Sequence, residues 1–299
     1  TAAMTAANFP EGVDTVYIAT GDAYADALAG SAPAAKGMVP GAQARPAAAT
    51  GAPILLVKQD RIPQATSAAL ESLDPTNIIV LGDENAVGAE VEDQLEGMGD
   101  VTRLAGEHRY ETAILVAAMY GDTDKVYVAS GEDGKFPDAL AGSALAGHEG
   151  HPVILTKADH VPAVVADYLA AVDPAEVVVL GGEPSVSADV YTAVGATDRL
   201  AGPERWSTSV EVSKAFGITD LPVTFVTNGN KWPDALAGGA LAGTLGVPIE
   251  LTKQDAVPSV VQAELDRVNP DHVVILGDTA TVSTDVEDWL NSQLPGWVE

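Results

Sequence analysis

The sequence of 299 residues contains no cysteine and few aromatic residues. The lack of cysteine excludes disulfide bonds, thiolate metal sites and a cysteine nucleophile, although it does not assign a cellular compartment. Aromatic side chains make up 5% of the chain against 46% hydrophobic residues in all. The core must therefore be built from Ala, Val, Leu and Ile, and it must be closely packed.

Basic residues are also scarce, with 15 Lys and Arg against 43 Asp and Glu and a formal net charge of −28. A field of this sign repels nucleic acids and anionic lipids, so we expect no nucleic-acid partner. The sequence has no run of 18 apolar residues, and its first ten residues lack the features of a signal peptide. We therefore expect no membrane insertion. High acidity is typical of a secreted protein or of one from a saline habitat.

One stretch rich in small residues occurs three times, as YADALAGSAPAA (24–35), FPDALAGSALAG (136–147) and WPDALAGGALAG (232–243). The last two copies lie 96 residues apart, and other landmarks keep this spacing: Arg103 and Arg199, Pro152 and Pro248, Leu180 and Leu276. The first copy carries an extra segment, roughly 36–51, whose Pro, Gly and Ala content predicts a surface loop. The chain is therefore predicted to consist of tandem repeats.

Within each repeat, short β-rich runs alternate with segments of helical spacing. The runs of the second copy are VYVAS (126–130), PVILT (152–156) and EVVVLGG (176–182). This alternation predicts an α/β fold with a parallel, doubly wound sheet in each repeat. We predict three domains, at residues 1–102, 103–198 and 199–299. The first lacks the Arg-Leu-Ala-Gly opening of the other two, so we interpret it as truncated at its amino end.

Each small-residue stretch has an aspartate near its start, at Asp26, Asp138 and Asp234. Aspartate before Ala-Leu-Ala-Gly predicts a helix N-cap, where the carboxylate accepts backbone N–H bonds and favours the helix dipole. One interpretation is structural, with a capped helix pressed onto a neighbouring element. The other is functional, because open α/β domains bind ligands at helix starts beside the carboxyl ends of their strands. The two interpretations are compatible.

Nine of the 15 basic residues occupy positions that are shared between copies: Lys58, Lys157, Lys253, Arg103, Arg199, Arg109, Arg205, Lys135 and Lys231. Randomly placed surface cations would not keep this register. The nine shared cations either form ion pairs with the many carboxylates or make anion and sugar contacts that recur in each repeat. In the second case the aromatic side chains beside them would serve as platforms for the ligand: Tyr110, Trp206, Phe136 and Trp232.

The sequence offers no catalytic constellation. The five histidines occupy unrelated positions in the repeats, and HEGH (148–151) lacks a third metal ligand. The common nucleophile, zinc-protease and phosphate-loop motifs are missing. An active site is normally built once in a protein, whereas the motifs of this sequence recur in all copies of the repeat. We therefore predict a binding protein with no catalytic residue, no metal site and no cofactor.

Four motifs in order resemble the type-2 cell-wall-binding repeat, which occurs, typically in three tandem copies, in Gram-positive surface and autolysin-associated proteins: RLAGEHRYETA (103–113), FPDALAGSALAG (136–147), PVILTK (152–157) and VVVLGGEPSVS (177–187). The resemblance implies three Rossmann-like or Toprim-like units around a pseudo-threefold axis. It implies an extracellular protein of the cell wall or S-layer that attaches non-covalently to an anionic wall polysaccharide or teichoic-type polymer. The ligand groove would lie between neighbouring units, and binding would fall to Arg103, Arg109, Arg199, Arg205 and the three repeated aspartates.

The sequence departs from this family in two places, since His108 replaces the usual acid and Trp206 replaces tyrosine. A charge of −28 conflicts with an anionic ligand unless the cations form a local groove, a divalent cation bridges the two, or the ligand is less charged. Two other functions stay open: a Rossmann-like enzyme acting on carbohydrates or nucleotides, and a structural surface-layer module that self-assembles. We expect any effector domain to lie outside this sequence.

Overall fold

A computed structural model describes residues 1–10, 12–22, 25–41 and 51–293 of the chain, apart from the side chains of residues 25 and 26. Most of the segment predicted as an insertion at about 36–51 therefore lies outside the described residues, as does the side chain of Asp26. The first unit contains α1 (Ala2–Ala6), β1 (Thr15–Thr20), α2 (Ala25–Ala35), β2 (Ile54–Val57), α3 (Gln64–Leu73), β3 (Asn77–Leu81), α4 (Ala89–Glu96) and β4 (Asp100–Leu104).

The second unit repeats this order of elements, and the third repeats it as far as its last described helix. The second contains α5 (Arg109–Ala117), a 3-10 turn (Ala118–Tyr120), β5 (Lys125–Ser130), α6 (Phe136–Glu149), β6 (Val153–Thr156), α7 (Ala163–Val172), β7 (Glu176–Leu180), α8 (Ala188–Ala193) and β8 (Asp198–Leu200). The third contains α9 (Arg205–Ala215), β9 (Thr224–Asn228), α10 (Pro233–Leu245), β10 (Ile249–Thr252), α11 (Ser259–Val268), β11 (Val273–Leu276) and α12 (Thr284–Gln293).

Each unit has one sheet, and all described strand pairs are parallel. The strand orders are β2-β1-β3-β4, β6-β5-β7-β8 and β10-β9-β11. In the first sheet Tyr17 pairs with Ile54 on one side and with Ile79 on the other. β1 and β9 are buried along their whole length and β5 at all residues but its first, as expected of a parallel sheet covered by helices on both faces. The predicted α/β class with repeated Rossmann-like units is confirmed.

The three small-residue helices α2, α6 and α10 pack against one another at the centre of the molecule. A Cβ atom added to Gly147 would lie 2.7 Å from the Cβ of Ala35, and one added to Gly243 would lie 2.8 Å from the same atom. Real Cβ atoms do not approach so closely, so glycine is what allows the helices to touch. Because each unit supplies one of these helices, the units surround a pseudo-threefold axis.

The first helix of each unit packs on the central helix of the neighbouring unit. These pairs are α5 with α2, α9 with α6, and α1 with α10. The fourth strand ends one sheet, and the helix that follows it belongs to the next unit. The boundaries predicted at 102/103 and 198/199 consequently fall inside β4 and β8. We place the structural boundaries instead in the links 105–108 and 201–204.

Candidate functional site

A cleft opens in the second unit where the strand order of the sheet reverses. The chain leaves β5 through α6 toward β6 on one side, and it leaves β7 through α8 toward β8 on the other. The loops after β5 and β7 therefore diverge, and open α/β sheets bind ligands at such points. The residues that begin α6 line this cleft.

The cleft has a volume of about 240 Å³ and is shared by two units. The second unit contributes Lys135 and Asp138 from the start of α6 and Ser185 from the loop after β7, and the third contributes Arg205 and Thr208 from the first turns of α9. The arrangement brings an acceptor, two hydroxyls and two cations together. The pairing of α9 with α6 is what places residues of both units around one cavity.

Asp138 is the most unusual side chain of the cleft, because it is a carboxyl group with only 7% of its surface exposed. Ser185 Oγ donates a hydrogen bond of 2.7 Å to its Oδ2 atom. Burial raises the pKa of Asp138, and the hydrogen bonds from Ser185 and Thr208 and the charge of Arg205 act in the opposite direction. Gly181 lies so close that any side chain there would meet the carboxyl group.

The prediction that the repeated aspartates cap their helices is wrong in the two copies whose side chains are described. α6 begins at Phe136 and α10 at Pro233, so Asp138 and Asp234 lie inside the first turn. Proline fits the first turn because its fixed φ suits a helix and its missing N–H is not needed there. It therefore starts each helix before the aspartate. Asp26 also falls inside its helix, which begins at Ala25.

A hydroxyl group opposite the aspartate was missed by sequence reasoning. Thr281 Oγ1 donates a hydrogen bond of 3.1 Å to Asp234, as Ser185 does to Asp138. The two hydroxyls occupy one repeat position, after the third strand, where the first unit has Ala86. The hydroxyl residue is visible in the sequence as the sixth position of LGGEPSVS (180–187) and of LGDTATVS (276–283). The pairing follows from the contact between two loops, which the sequence alone does not show.

Arg109 and Arg205 occupy the first position of α5 and α9 and hold the loop after the first strand of their units. Arg205 Nη1 donates to Gly229 O at 2.7 Å and to Asn230 Oδ1 at 3.0 Å. Arg109 Nη1 donates to Gly131 O at 2.7 Å and to Asp133 Oδ1 at 2.9 Å. Arg205 therefore lines the cleft of the second unit while it is anchored to a loop of its own unit.

Arg103 and Arg199 have a different environment. Arg199 Nη1 donates to the carbonyls of Gly181 (2.6 Å) and Val186 (3.0 Å). Arg103 donates to the equivalent carbonyls, of Gly82 (2.7 Å) and Val87 (2.9 Å), and forms a 2.7 Å salt bridge with Glu92. These arginines fix the loop after the third strand, and Arg199 does not line the cleft.

The repeat-registered lysines lie near the carboxyl ends of the strands and contact groups of their own units. Lys58 is paired with Asp22 (2.5 Å), Lys135 with Glu132 (2.9 Å), Lys231 with the carbonyl of Ala280, and Lys253 lies over the Trp206 ring at 5.1 Å. Lys157 is half-buried at the equivalent position of the second unit. Of the five, Lys135 lines the cleft with Asp138 and Arg205.

Two of the four aromatic residues expected to serve as ligand platforms are used in the core instead. Tyr110 and Phe136 are each 8% exposed and belong to the main hydrophobic cluster. Trp206 and Trp232 are partly buried against the same cluster. All four therefore contribute apolar surface to the main hydrophobic cluster.

Neither a metal-ligand cluster nor a membrane-spanning helix is found among the described residues. Among these residues no group of three or more His, Asp or Glu side chains is placed to hold a metal ion. None of the described helices has both the length and the apolar character needed to span a membrane.

The sequence matches the family Cell wall binding domain 2 (CWB2) twice, over residues 103–191 and 199–287, which together make up more than half of the chain. The chain belongs to the CWB2 family. The matched ranges cover most of the second and third units, and the first unit has the same fold and strand order. Cell wall binding is accordingly the function of this domain.

The relatives and a solved structure agree with this assignment. The chain is 27% identical to N-acetylmuramoyl-L-alanine amidase LytC of Bacillus subtilis, over 94% of this chain and 54% of that protein. It is 30% identical to the amidase enhancer of the same organism, over 80% of this chain and 33% of that protein. The structure of Cwp6 from Clostridium difficile matches with a TM-score of 0.82 and 28% identity, over 93% of this chain and 43% of that one. This CWB2 chain thus spans about half or less of these proteins.

Proposed function

We propose that this CWB2 chain attaches the protein that carries it to a cell-wall glycopolymer, non-covalently and without catalysis, and that the cleft shared by the second and third units holds the polymer. The observation that carries the proposal is the convergence of the buried Asp138 carboxyl, two hydroxyls and the Arg205 guanidinium across a unit boundary. None of the described residues that line this cleft is a histidine.

The groups of the cleft suit a ligand that carries both hydroxyl and anionic groups. Asp138 is an acceptor for sugar hydroxyls, and Arg205 and Lys135 are donors for carboxylate or phosphate oxygens. A volume of about 240 Å³ lies below the usual range for small-molecule pockets. A shallow, polar cleft of this kind suits a short stretch of a chain that continues across the surface at both ends.

The net charge of −28 repels an anionic polymer, so the mode of binding has to overcome this repulsion. At physiological ionic strength the Debye length is about 8 Å, so surface acids that lie farther than this from a bound ligand are largely screened, whereas Arg205 and Lys135 act on it at contact. Direct binding should therefore weaken as salt is raised, whereas a divalent bridge should be lost on chelation. We favour direct binding, because two cations, Lys135 and Arg205, line the cleft together with the carboxyl groups of Asp138 and Glu204, and Asp138 is nearly buried.

The test is sedimentation with isolated cell walls, before and after extraction of the secondary polymer. We expect Arg205→Ala to weaken wall binding by at least about tenfold, since a hydrogen bond between charged groups contributes on the order of 2 kcal/mol. Lys214→Ala is the matched control, because Lys214 lies on the same helix and forms an exposed pair with Glu211. We expect this control to bind as the parent does.

A second variant separates the roles of charge and shape. Asp138→Asn keeps an acceptor for Ser185 but removes the carboxylate, so we expect weaker wall binding in a folded protein. Equal binding by the parent, Arg205→Ala and Asp138→Asn, with folding verified by circular dichroism, would place the polymer elsewhere. Binding that is lost in EDTA but insensitive to salt would show a cation bridge and contradict direct contact.

A further inference from the structure

The loop after the first strand differs in charge between the second and third units. It reads GEDGK (131–135) in the second unit and GNK (229–231) in the third. In both units it begins with the glycine that follows the strand and ends with the lysine that precedes the small-residue helix. The loop of the third unit is therefore two residues shorter, and it contains neither of the acids of the second.

In the second unit each acid of this loop forms an ion pair with a cation that is shared between the repeats. Asp133 Oδ1 lies 2.9 Å from Arg109 Nη1, and Glu132 Oε2 lies 2.9 Å from Lys135 Nζ. The carboxylates of the loop therefore compensate the charge of both cations. An anionic ligand would have to compete with these carboxylates for the same N–H groups.

In the third unit the equivalent arginine has a neutral partner. Arg205 Nη1 donates to the carbonyl of Gly229 at 2.7 Å, as Arg109 does to the glycine of its own loop at the same distance. Its second acceptor is the side-chain amide oxygen of Asn230, at 3.0 Å. Among the described residues Arg205 forms no ion pair, and the Asp138 carboxyl interacts with its charge without direct pairing.

This difference decides which cation of the shared cleft can receive an anion. The charged residues that line the cleft are Lys135, Asp138, Glu204 and Arg205. Lys135 is paired with Glu132, so Arg205 is the cation of this set without a carboxylate partner among the described residues. A guanidinium that is held by neutral acceptors keeps its full charge for a ligand, whereas a paired one has to exchange partners on binding.

We propose that Asn230 is the specificity-determining residue of the shared cleft, a role that rests on the function proposed above. Asn230 holds Arg205 in place without neutralising it, so the cleft accepts one carboxylate or phosphate group of the wall polymer at this guanidinium. Both hydrogen bonds described for Arg205 use Nη1. The Nη2 and Nε groups are left for a bidentate contact with such an anionic group.

The test compares Asn230→Asp with Asn230→Ala in the full chain, by sedimentation with isolated cell walls. Asn230→Asp keeps the shape of the side chain and adds one negative charge beside Arg205. We expect it to weaken wall binding about tenfold, because the added carboxylate competes with the ligand for the guanidinium at contact distance. Asn230→Ala removes a neutral acceptor alone, so we expect a loss of about twofold.

The salt dependence separates a change of charge from a change of loop shape. Wall binding by the parent and by Asn230→Ala should fall as NaCl is raised from about 50 mM to 500 mM, because screening grows over this range. Binding by Asn230→Asp should fall less, because its guanidinium is already neutralised. Gln64→Glu is the control, since it adds the same charge to an exposed residue of α3 outside the cleft. We expect this control to bind as the parent does, and circular dichroism verifies the fold of each variant.

Two results would overturn this inference and leave the proposed function in place. One is wall binding by Asn230→Asp that equals that of the parent although Arg205→Ala binds more weakly. The other is an equal loss in Asn230→Asp and Asn230→Ala with the same salt dependence, which would make Asn230 a structural part of its loop. Failure of the parent to bind walls, or equal binding by the parent and Arg205→Ala, would overturn the proposed function and the role of Asn230 together.

Discussion

Among the described residues, Asp138 and Glu250 are carboxyl groups whose burial penalises their charge. Asp138 is 7% exposed at the bottom of the shared cleft, where Ser185 and Arg205 support its ionised form. Glu250 is fully buried in β10, at a position where the second unit has Ile154. Its Oε1 atom has no hydrogen-bond partner among the described residues. The first group faces a cleft, whereas the second has no access to a ligand and affects stability alone.

We predict that the free energy of unfolding depends on pH through Glu250. Burial, with Glu264 nearby, raises its pKa to about 8, while the nearby hydroxyls of Ser213 and Ser209 and the charge of Arg267 oppose the shift. Above about pH 4.5 the unfolded chain releases a proton that the folded chain retains to about pH 8, so stability falls across this interval. Glu250→Gln should remove this part of the decline and stabilise the protein at pH 9 by on the order of 3 kcal/mol.

Denaturant unfolding from pH 4 to pH 9 measures this effect. Glu211→Gln is the control, because Glu211 is an exposed residue of α9 whose loss should leave the pH profile unchanged. A parent and a Glu250→Gln variant with parallel profiles would show that Glu250 ionises normally.

At the scale of the helices, the central contact depends on the absence of side chains. Gly30, Gly142 and Gly238 each lie against the leucine that ends the third strand of their own unit: Leu81, Leu180 and Leu276. Gly147 and Gly243 lie between the central helices. Glycine in a helix costs about 1 kcal/mol relative to alanine. Its use at equivalent positions of all three helices shows that close packing outweighs this cost.

We predict that Gly147→Val destabilises the protein by about 2 kcal/mol, since an overpacked core typically costs 1–3 kcal/mol. Its Cβ would lie 2.7 Å from the Cβ of Ala35 and 3.3 Å from the backbone of Ala32, so α2 and α6 would have to separate. Gly182→Val is the control, because the nearest atom to its Cβ lies 3.5 Å away. Thermal unfolding of the two variants gives the comparison, and equal midpoints would contradict tight central packing.

The fold was largely predictable from the sequence, and the site much less so. The 96-residue spacing is visible directly in the sequence and identifies the repeats. The alternation of short β-rich runs with helical segments identifies the parallel sheets. Pro137 displaced the helix start from Asp138, a local effect that we underestimated. The bond between Asp138 and Ser185 and the approach of Arg205 depend on loops and units that meet only in the folded chain. Arg199 and Arg205 both occupy positions that are shared between repeats. The repeat position therefore does not show that Arg199 holds a loop whereas Arg205 lines the cleft.

At the scale of the whole molecule, the acidic surface opposes the compact ring. A net charge of −28 on 299 residues produces self-repulsion that folding increases. We predict that the unfolding temperature rises as NaCl is raised from about 10 mM to 500 mM, since the Debye length falls from about 30 Å to roughly 4 Å. Differential scanning calorimetry measures the shift. A constant or falling midpoint would mean that ion pairs such as Arg103 with Glu92 outweigh the repulsion.

Because α5 packs on α2 and α9 packs on α6, the units are held together by more than the chain segments that link them. A protease that cuts the links at 105–108 or 201–204 would separate no unit, because the fragments would still share the packed helices at the axis. The packed helices, rather than the links, would then hold the units together. A nicked chain would still behave as one body on the wall until its central helices part.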